Sequence, residues 1–444
     1  MKIIHITPHL GGGIGTVVLN WLKRECQENP DVQHTIACLE QNKNSMQEFL
    51  DIGMQIYDNM YMNQPALLGW IAESDIVLMH WWNHPTLFDI MVNLKLPPCR
   101  LILWNHVSAL HPPYIHSNKL IEFSDRFIFT SPVSYEADEI KNLPEHLKEK
   151  LGVIWSSCGT EIFEGFVKKD HKGFNVGITG TVDYGKLHPD YVTMCAGVKI
   201  PDVHFIVCSG DSQERVKEDA KKQGILDRFT FNGRVPSIMP YLAIYDVFGY
   251  PLQPKHLGTC EQAIGEAMMA GVVPVVLNNS AERYIVQHNV NGIIANSQEE
   301  YCRAIEYLYH NPDVKKSLAD NAIAAAREKY SLSQTMNEWI IIFEEILRRD
   351  KKTHAWPNKA KTGSEVFIES IGDFGTVFNE FITADRVGDA LKLNSCEFSI
   401  RQLFRGNRQW YSENKGGVKQ YLRLFPDDKF LNLWNELLDT NPYQ

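Results

Sequence analysis

Short apolar runs rich in β-branched residues recur along this chain, and segments of helical period separate most of them. The first run, 2–6, is predicted to be a buried strand. Further strands are expected at 34–39, 55–57, 76–79, 100–104, 126–129 and 153–155. Helices are expected from about Thr16, with Val17, Val18, Trp21 and Leu22 as the buried face, and around 45–50. A polar stretch at 166–175, carrying Lys168, Lys169, Asp170 and Lys172, reads as a linker. The alternation then starts again, with strands at 176–179, 204–208, 229–232, 247–250, 273–277 and 292–295 and helices at 212–223 and 281–287. Three helices follow between 298 and 349. Strands alternating with helices imply parallel, doubly wound sheets, here two of them, with ligands at the carboxyl ends of the strands.

The densest signal is 255–294. Thr259 and Gln262 have the spacing of a capping box, which predicts a helix from Cys260. Ala263, Ala267 and Met268 give it an apolar face, and Gly271 stands where a C′ glycine closes a helix. The run 272–277, interrupted only by Pro274, reads as a strand covered on both faces. Gly258 and Thr259 then sit at the positive end of the helix, where backbone N–H groups hold phosphate. Glu266, about two turns on, is placed to accept hydrogen bonds from sugar hydroxyls. The combination suits a sugar nucleotide.

Composition narrows the class. A chain of 444 residues accommodates two domains and an appendage, and a net charge of −10 argues against a nucleic-acid binder. Nine cysteines, an odd count with no C-x-x-C pair, suggest reduced thiols and a cytoplasmic protein. The N-terminal apolar run is too short for a signal peptide, and no run approaches membrane-spanning length. No His, Asp or Glu spacing suggests a metal site. After a second linker at 351–363, the region 364–444 reads as helical and rich in aromatics, among them Phe378, Phe381, Phe404, Trp410, Tyr411, Tyr421, Phe425 and Trp434. It carries no catalytic pattern and is expected to be a packing or docking appendage, with acceptor, oligomer or peripheral membrane contact left open. The loop from Gly11 to Gly15 follows a strand, and Glu40 ends the next one, as in a dinucleotide fold. The third glycine of that fingerprint would fall on Thr16, so it is incomplete; such a loop can equally face an acceptor or a phosphate.

The order of motifs resembles a known family. The Gly11–Gly15 loop is followed by 75–80 (DIVLMH) and 101–106 (LILWNH), two strands ending in His80 and His106. Then come 233–235 (GRV), 245–248 (YDVF) with Pro251, Glu266-Ala267-Met268, 274–276 (PVV), Glu282 and 291–293 (NGI). From Lys2 to about Asp350 the series is similar to the group 1 retaining glycosyltransferases. The resemblance implies a GT-B fold: two Rossmann-like doubly wound α/β domains facing a cleft, with a helical C-terminal extension. The implied domains are 1–167 on the acceptor side, 174–333 on the nucleotide-sugar side, a closing helix at 334–350, and the extension 364–444. It further implies His106, Lys186 and Glu266 as catalytic residues. Gly13, Gly15, Thr181, Arg234, Gly258, Thr259, Asn279, Ser280 and Glu282 would bind the donor. The donor is then a nucleoside-diphosphate sugar, with no separate cofactor and no metal, and the acceptor a sugar, lipid, small molecule or protein.

Two positions depart from the family pattern. The first of its two motif glutamates would fall on Gly258, and Glu261, the nearest acid, is expected on another helix face, as a favourable acid in the first turn. In 177–186 (GITGTVDYGK) the family's lysine is kept as Lys186, but Thr181 stands near the place of its arginine. The expected function is retaining transfer of a sugar in glycan, glycolipid or glycoconjugate synthesis. The alternative is a catalytically silent GT-B protein that binds sugar nucleotide or glycan as a partner subunit.

Overall fold

A computed structural model of the chain describes residues 1–42, 47–157, 159–210 and 213–438. Two parallel sheets carry thirteen strands among these residues. The chain divides into two compact units, one comprising 1–154 and 336–444, the other 155–335.

In the first unit the strands are β1 (Lys2–Thr7), β2 (Gln33–Cys38), β3 (Gln55–Tyr57), β4 (Ile76–Trp81), β5 (Leu101–Asn105), β6 (Arg126–Phe129) and β7 (Leu151–Val153). Their order is β3-β2-β1-β4-β5-β6-β7. All of β4 and β5 is buried, which is why these strands read as unbroken apolar runs. β7 begins two residues before the predicted run: Gly152 breaks the apolar pattern, yet it pairs with Ile128. The helix Gly12–Glu28 begins at Gly12, four residues before the expected Thr16. Glycines are poor helix formers, but at Gly15 a Cβ would stand 1.8 Å from the Leu10 carbonyl oxygen, so only glycine fits. The expected helix at 45–50 is seen as Gln47–Asp51, and its start lies outside the described residues.

The C-terminal extension packs on this unit with its own aromatic core. Phe378 and Trp434 meet edge to face at 4.8 Å, and Phe367 stacks its edge on Tyr421 at 5.2 Å. Asn83 donates to the Ser370 carbonyl, and Asn407 to the Pro112 carbonyl, so the extension is also tied down by hydrogen bonds. Most of its aromatic residues are therefore spent on packing.

The second unit holds β8 (Phe174–Thr179), β9 (Val203–Cys208), β10 (Phe229–Phe231), β11 (Val247–Tyr250), β12 (Val273–Leu277) and β13 (Ile293–Ala295). Their order, β10-β9-β8-β11-β12-β13, is the doubly wound order of a Rossmann-like sheet. The division between units falls at 154/155 rather than within the polar stretch 166–175. Phe163 belongs to the second unit's core, the Lys168 ammonium donates to the Leu242 carbonyl and the Lys169 N–H to that of Ala243. Those lysines are structural, so their charge does not mark a free linker. The helix predicted at 281–287 shortens to one turn, Ser280–Arg283, and the helix Glu214–Lys222 lies within the predicted 212–223, with Ser212 outside the described residues. The helices Gln298–His310, Pro312–Lys329 and Leu332–Leu347 follow, the last of them crossing the 335/336 division.

Candidate functional site

The helix expected after Thr259 runs from Gln262 to Met269. Its far end is as predicted: Gly271 has φ +66°, its N–H donates to the Met268 carbonyl and that of Val272 to Ala267. The near end differs. Glu261, not Thr259, is the residue before the helix, held at φ 29° and ψ 73° with no side-chain cap. The Tyr330 hydroxyl donates to the Cys260 carbonyl and anchors this bend.

That bend turns the Glu261 carboxylate inward. Its Oε2 accepts from the Tyr250 hydroxyl at 2.8 Å and lies 2.8 Å from Lys186 Nζ. Its Oε1 lies 4.0 Å from His256 Nδ1. His256 Nε2 pairs with Glu282 at 3.1 Å, and the other Glu282 oxygen accepts from the Asn279 amide at 3.1 Å. Glu261, His256, Glu282 and Asn279 are all buried. The reading of Glu261 as a favourable acid in the first helical turn is corrected: it precedes the helix and is the centre of a buried ion network.

Electrostatics follows from the pairing. Burial opposes the Lys186 ammonium, but Glu261 and Tyr250 outweigh it and raise its pKa. Burial likewise opposes the Glu261 carboxylate, yet Lys186 and His256 hold its pKa below the ordinary value. For His256, Glu282 overcomes desolvation and raises the imidazole. The Gln253 amide donates to the Gly185 carbonyl at 2.9 Å and fixes the Lys186 segment beside residues 251–253.

The predicted donor residues thus fall into distinct settings. The Gly258 N–H already donates to His256 Nδ1 at 3.0 Å, and Thr259 is buried and bonded to the Cys260 thiol. The Gly258 N–H is therefore not the bare amide expected of it, because the chain folds back on its own histidine. Glu282 is fully buried with both oxygens used inside the protein. Thr181 and Arg234 are exposed, and Ser280 accepts from Arg283 at 3.0 Å. In the first unit, Gly13 is exposed in the first turn of its helix, Gly15 is buried, and His106 follows β5, half-buried. Glu266 is the exception among the acids. It is half-buried, its carboxyl has no hydrogen-bond partner among the described residues, and desolvation pushes its pKa up to about 7.

Tyr250 and His256 were not singled out from the sequence. The available signal was a histidine and two acids, Glu261 and Glu282, flanking a segment too apolar to solvate them. Among the described residues, no group of three His, Cys, Asp or Glu is disposed to hold a metal ion, and no helix is long and apolar enough to cross a membrane.

Comparison with known proteins shows what this chain is similar to. Residues 163–329, which lie within the second unit, match the family described as glycosyl transferases group 1. A curated relative, an uncharacterized glycosyltransferase of Haemophilus influenzae, is 28% identical over 145 residues. The match covers 32% of this chain and 40% of that relative, so less than half of the relative's length is spanned. Among solved structures, a glycosyltransferase from Rickettsia africae superposes with a TM-score of 0.65 at 13% identity, over 78% of this chain and 99% of that one. Anabaena HepE in complex with UDP and glucose gives 0.63 at 16% identity, over 78% and 100%. The fold is GT-B: two parallel-sheet α/β domains with a helical C-terminal region.

Proposed function

We propose that this chain is a retaining glycosyltransferase that moves a sugar from a nucleoside-diphosphate donor to an acceptor in glycan, glycolipid or glycoconjugate synthesis. One observation carries the reading. Within a group 1 domain, Glu266 is a desolvated carboxyl lacking any partner among the described residues. An ionised carboxylate there accepts two O–H donors at once, which is what a ribose diol offers. The UDP and UDP-glucose complexes of the HepE neighbour, though only a likeness of fold, support a UDP-sugar as the first donor to try. Charge on the departing diphosphate would be met by Lys186, exposed Arg234 and the amino end of the Gln262–Met269 helix, without a metal.

A panel of UDP- and GDP-sugars read by thermal shift and by nucleoside diphosphate release tests this. One donor should stabilise the parent, and Glu266→Ala should remove most of the shift. An unchanged shift in that variant sinks the assignment. A second reading, a silent sugar-nucleotide-binding subunit, is favoured by one fact: the Lys186 ammonium is already neutralised by Glu261. Stabilisation by a donor without release of diphosphate, with every acceptor class supplied, would decide for it.

A further inference from the structure

The first sheet carries four imidazoles joined nitrogen to nitrogen. His34 Nδ1 lies 2.9 Å from His5 Nε2, His5 Nδ1 3.0 Å from His80 Nε2, and His80 Nδ1 3.2 Å from His106 Nε2. Strand register explains the line. His34 pairs with Ile3, His5 with Leu78 and His80 with Trp104, so each histidine stands two residues beyond its neighbour's level, on the same face. The row therefore climbs across β2, β1, β4 and the end of β5, from the amino end of the sheet to its carboxyl edge. Trp21 packs edge-on against His5 at 5.5 Å and Trp104 lies 4.9 Å from His106, which holds the rings in place.

Burial lowers the pKa of all four rings, so the row is neutral. A neutral imidazole has one donor and one acceptor nitrogen. In a head-to-tail row every ring must then share one tautomer, either Nδ1–H throughout or Nε2–H throughout. The free end decides. His34 Nε2 is buried without a partner among the described residues, and a bare lone pair is tolerated there better than an orphaned N–H. The Nδ1–H sense also places the negative end of the four aligned dipoles at His34, the ring on which, after burial, the Met1 ammonium acts.

We infer that His34, His5 and His80 are positioning residues that hold His106 as its Nδ1–H tautomer. His106 then presents an N–H rather than a lone pair at the carboxyl edge of the first sheet, where ligands of doubly wound folds bind. Its Nδ1 has no partner among the described residues, and its backbone N–H is tied to the Trp81 carbonyl. The group it serves is an oxygen acceptor, a sugar hydroxyl or glycosidic oxygen; this last step rests on the glycosyl-transfer reading.

The test uses ligand-free full-length protein labelled with nitrogen-15 histidine, with His106→Gln to assign its signals. Long-range nitrogen–proton spectra should show a protonated Nδ1 and bare Nε2 at His106, the reverse of the preference of free imidazole. His5→Leu should cut the row and leave His106 a mixture of tautomers. His5→Gln, whose amide can accept from His34 and donate to His80, should restore the single form. With an active donor, kcat should fall roughly tenfold in His5→Leu, the scale of one neutral hydrogen bond, and recover in His5→Gln. An Nε2–H signal at His106 in the parent overturns the inference, and that spectrum suffices should His5→Leu not fold. An unchanged tautomer in a folded His5→Leu overturns it too. Correct tautomers with no diphosphate release on any donor would leave the positioning standing and count against glycosyl transfer instead.

Discussion

Glu261 Oε1 stands where a side chain on Gly258 would begin: a Cβ built there would lie 1.7 Å from it. The two positions compete for one pocket beside Lys186 and Tyr250. The acid that the family pattern places at 258 is absent from that position, while a carboxylate three residues later reaches back into the space.

Gly258→Glu should therefore destabilise the chain strongly, because two carboxylates then claim one ammonium. Adding Glu261→Gly should recover most of the loss, since glycine also relaxes a backbone held at φ 29°. Thermal unfolding of the parent, the single and the double variant decides it; a double variant no better than Gly258→Glu would refute the exchange.

Breaking the ion pair from one side should be costly. Lys186→Met leaves the buried Glu261 carboxylate without its cation and should cost about 3 kcal/mol, the lower end for a buried pair because the lysine is partly solvated. Combining it with Glu261→Gln should cost less than the sum of the two single changes. Denaturant titration of all four proteins closes this cycle, and simple additivity would show that the pair is not coupled.

Glu266 gives a pH signature. Its native pKa of about 7 lies above the ordinary 4.5, so between these values the native state binds more protons than the unfolded chain. Stability should fall as pH rises through that window, and Glu266→Gln should flatten the slope. Hydroxyl donors favour the ionised form, so nucleoside binding below about pH 7 should release a proton from the parent and none from the variant. Calorimetry in two buffers of different ionisation enthalpy measures this directly.

His354 should pin the segment after the helix Leu332–Leu347 to the first sheet. Its two ring nitrogens face the carbonyl oxygens of Phe123 and Cys99, and Nε2 lies 3.4 Å from Asp125, so the ring is protonated. Burial opposes this, but Asp125 and Cys99 raise the pKa to about 10. Its contribution should be full below about 6.5 and be lost as pH rises through about 10. For Asp125, burial is outweighed by His354 and Lys352, which lower it to about 2, so its share should be present above about 3.8 and be lost as pH falls through about 2. His354→Gln should cost about 2 kcal/mol near neutrality, typical of bonds to charged groups. A loss that persists undiminished above the histidine's pKa would contradict the charge assignment.

The alternating apolar runs were enough to place all thirteen strands within a few residues, and Gly271 announced the end of its helix. These features are local: a strand buried on both faces must be apolar, and a chain turning at positive φ favours glycine. The position of Glu266 on a helix was legible for the same reason. What the sequence did not disclose depends on residues distant along the chain. Glu261 reads as a first-turn helix acid until Lys186 and Tyr250 are brought to it across two strands. The glycines at 12–15 read as a turn until Leu10 crowds Gly15. The four histidines look unrelated until parallel register sets them two residues apart on one face. Tertiary structure decided these, because a charge, a close contact or a tautomer takes its meaning from the partner that folding supplies.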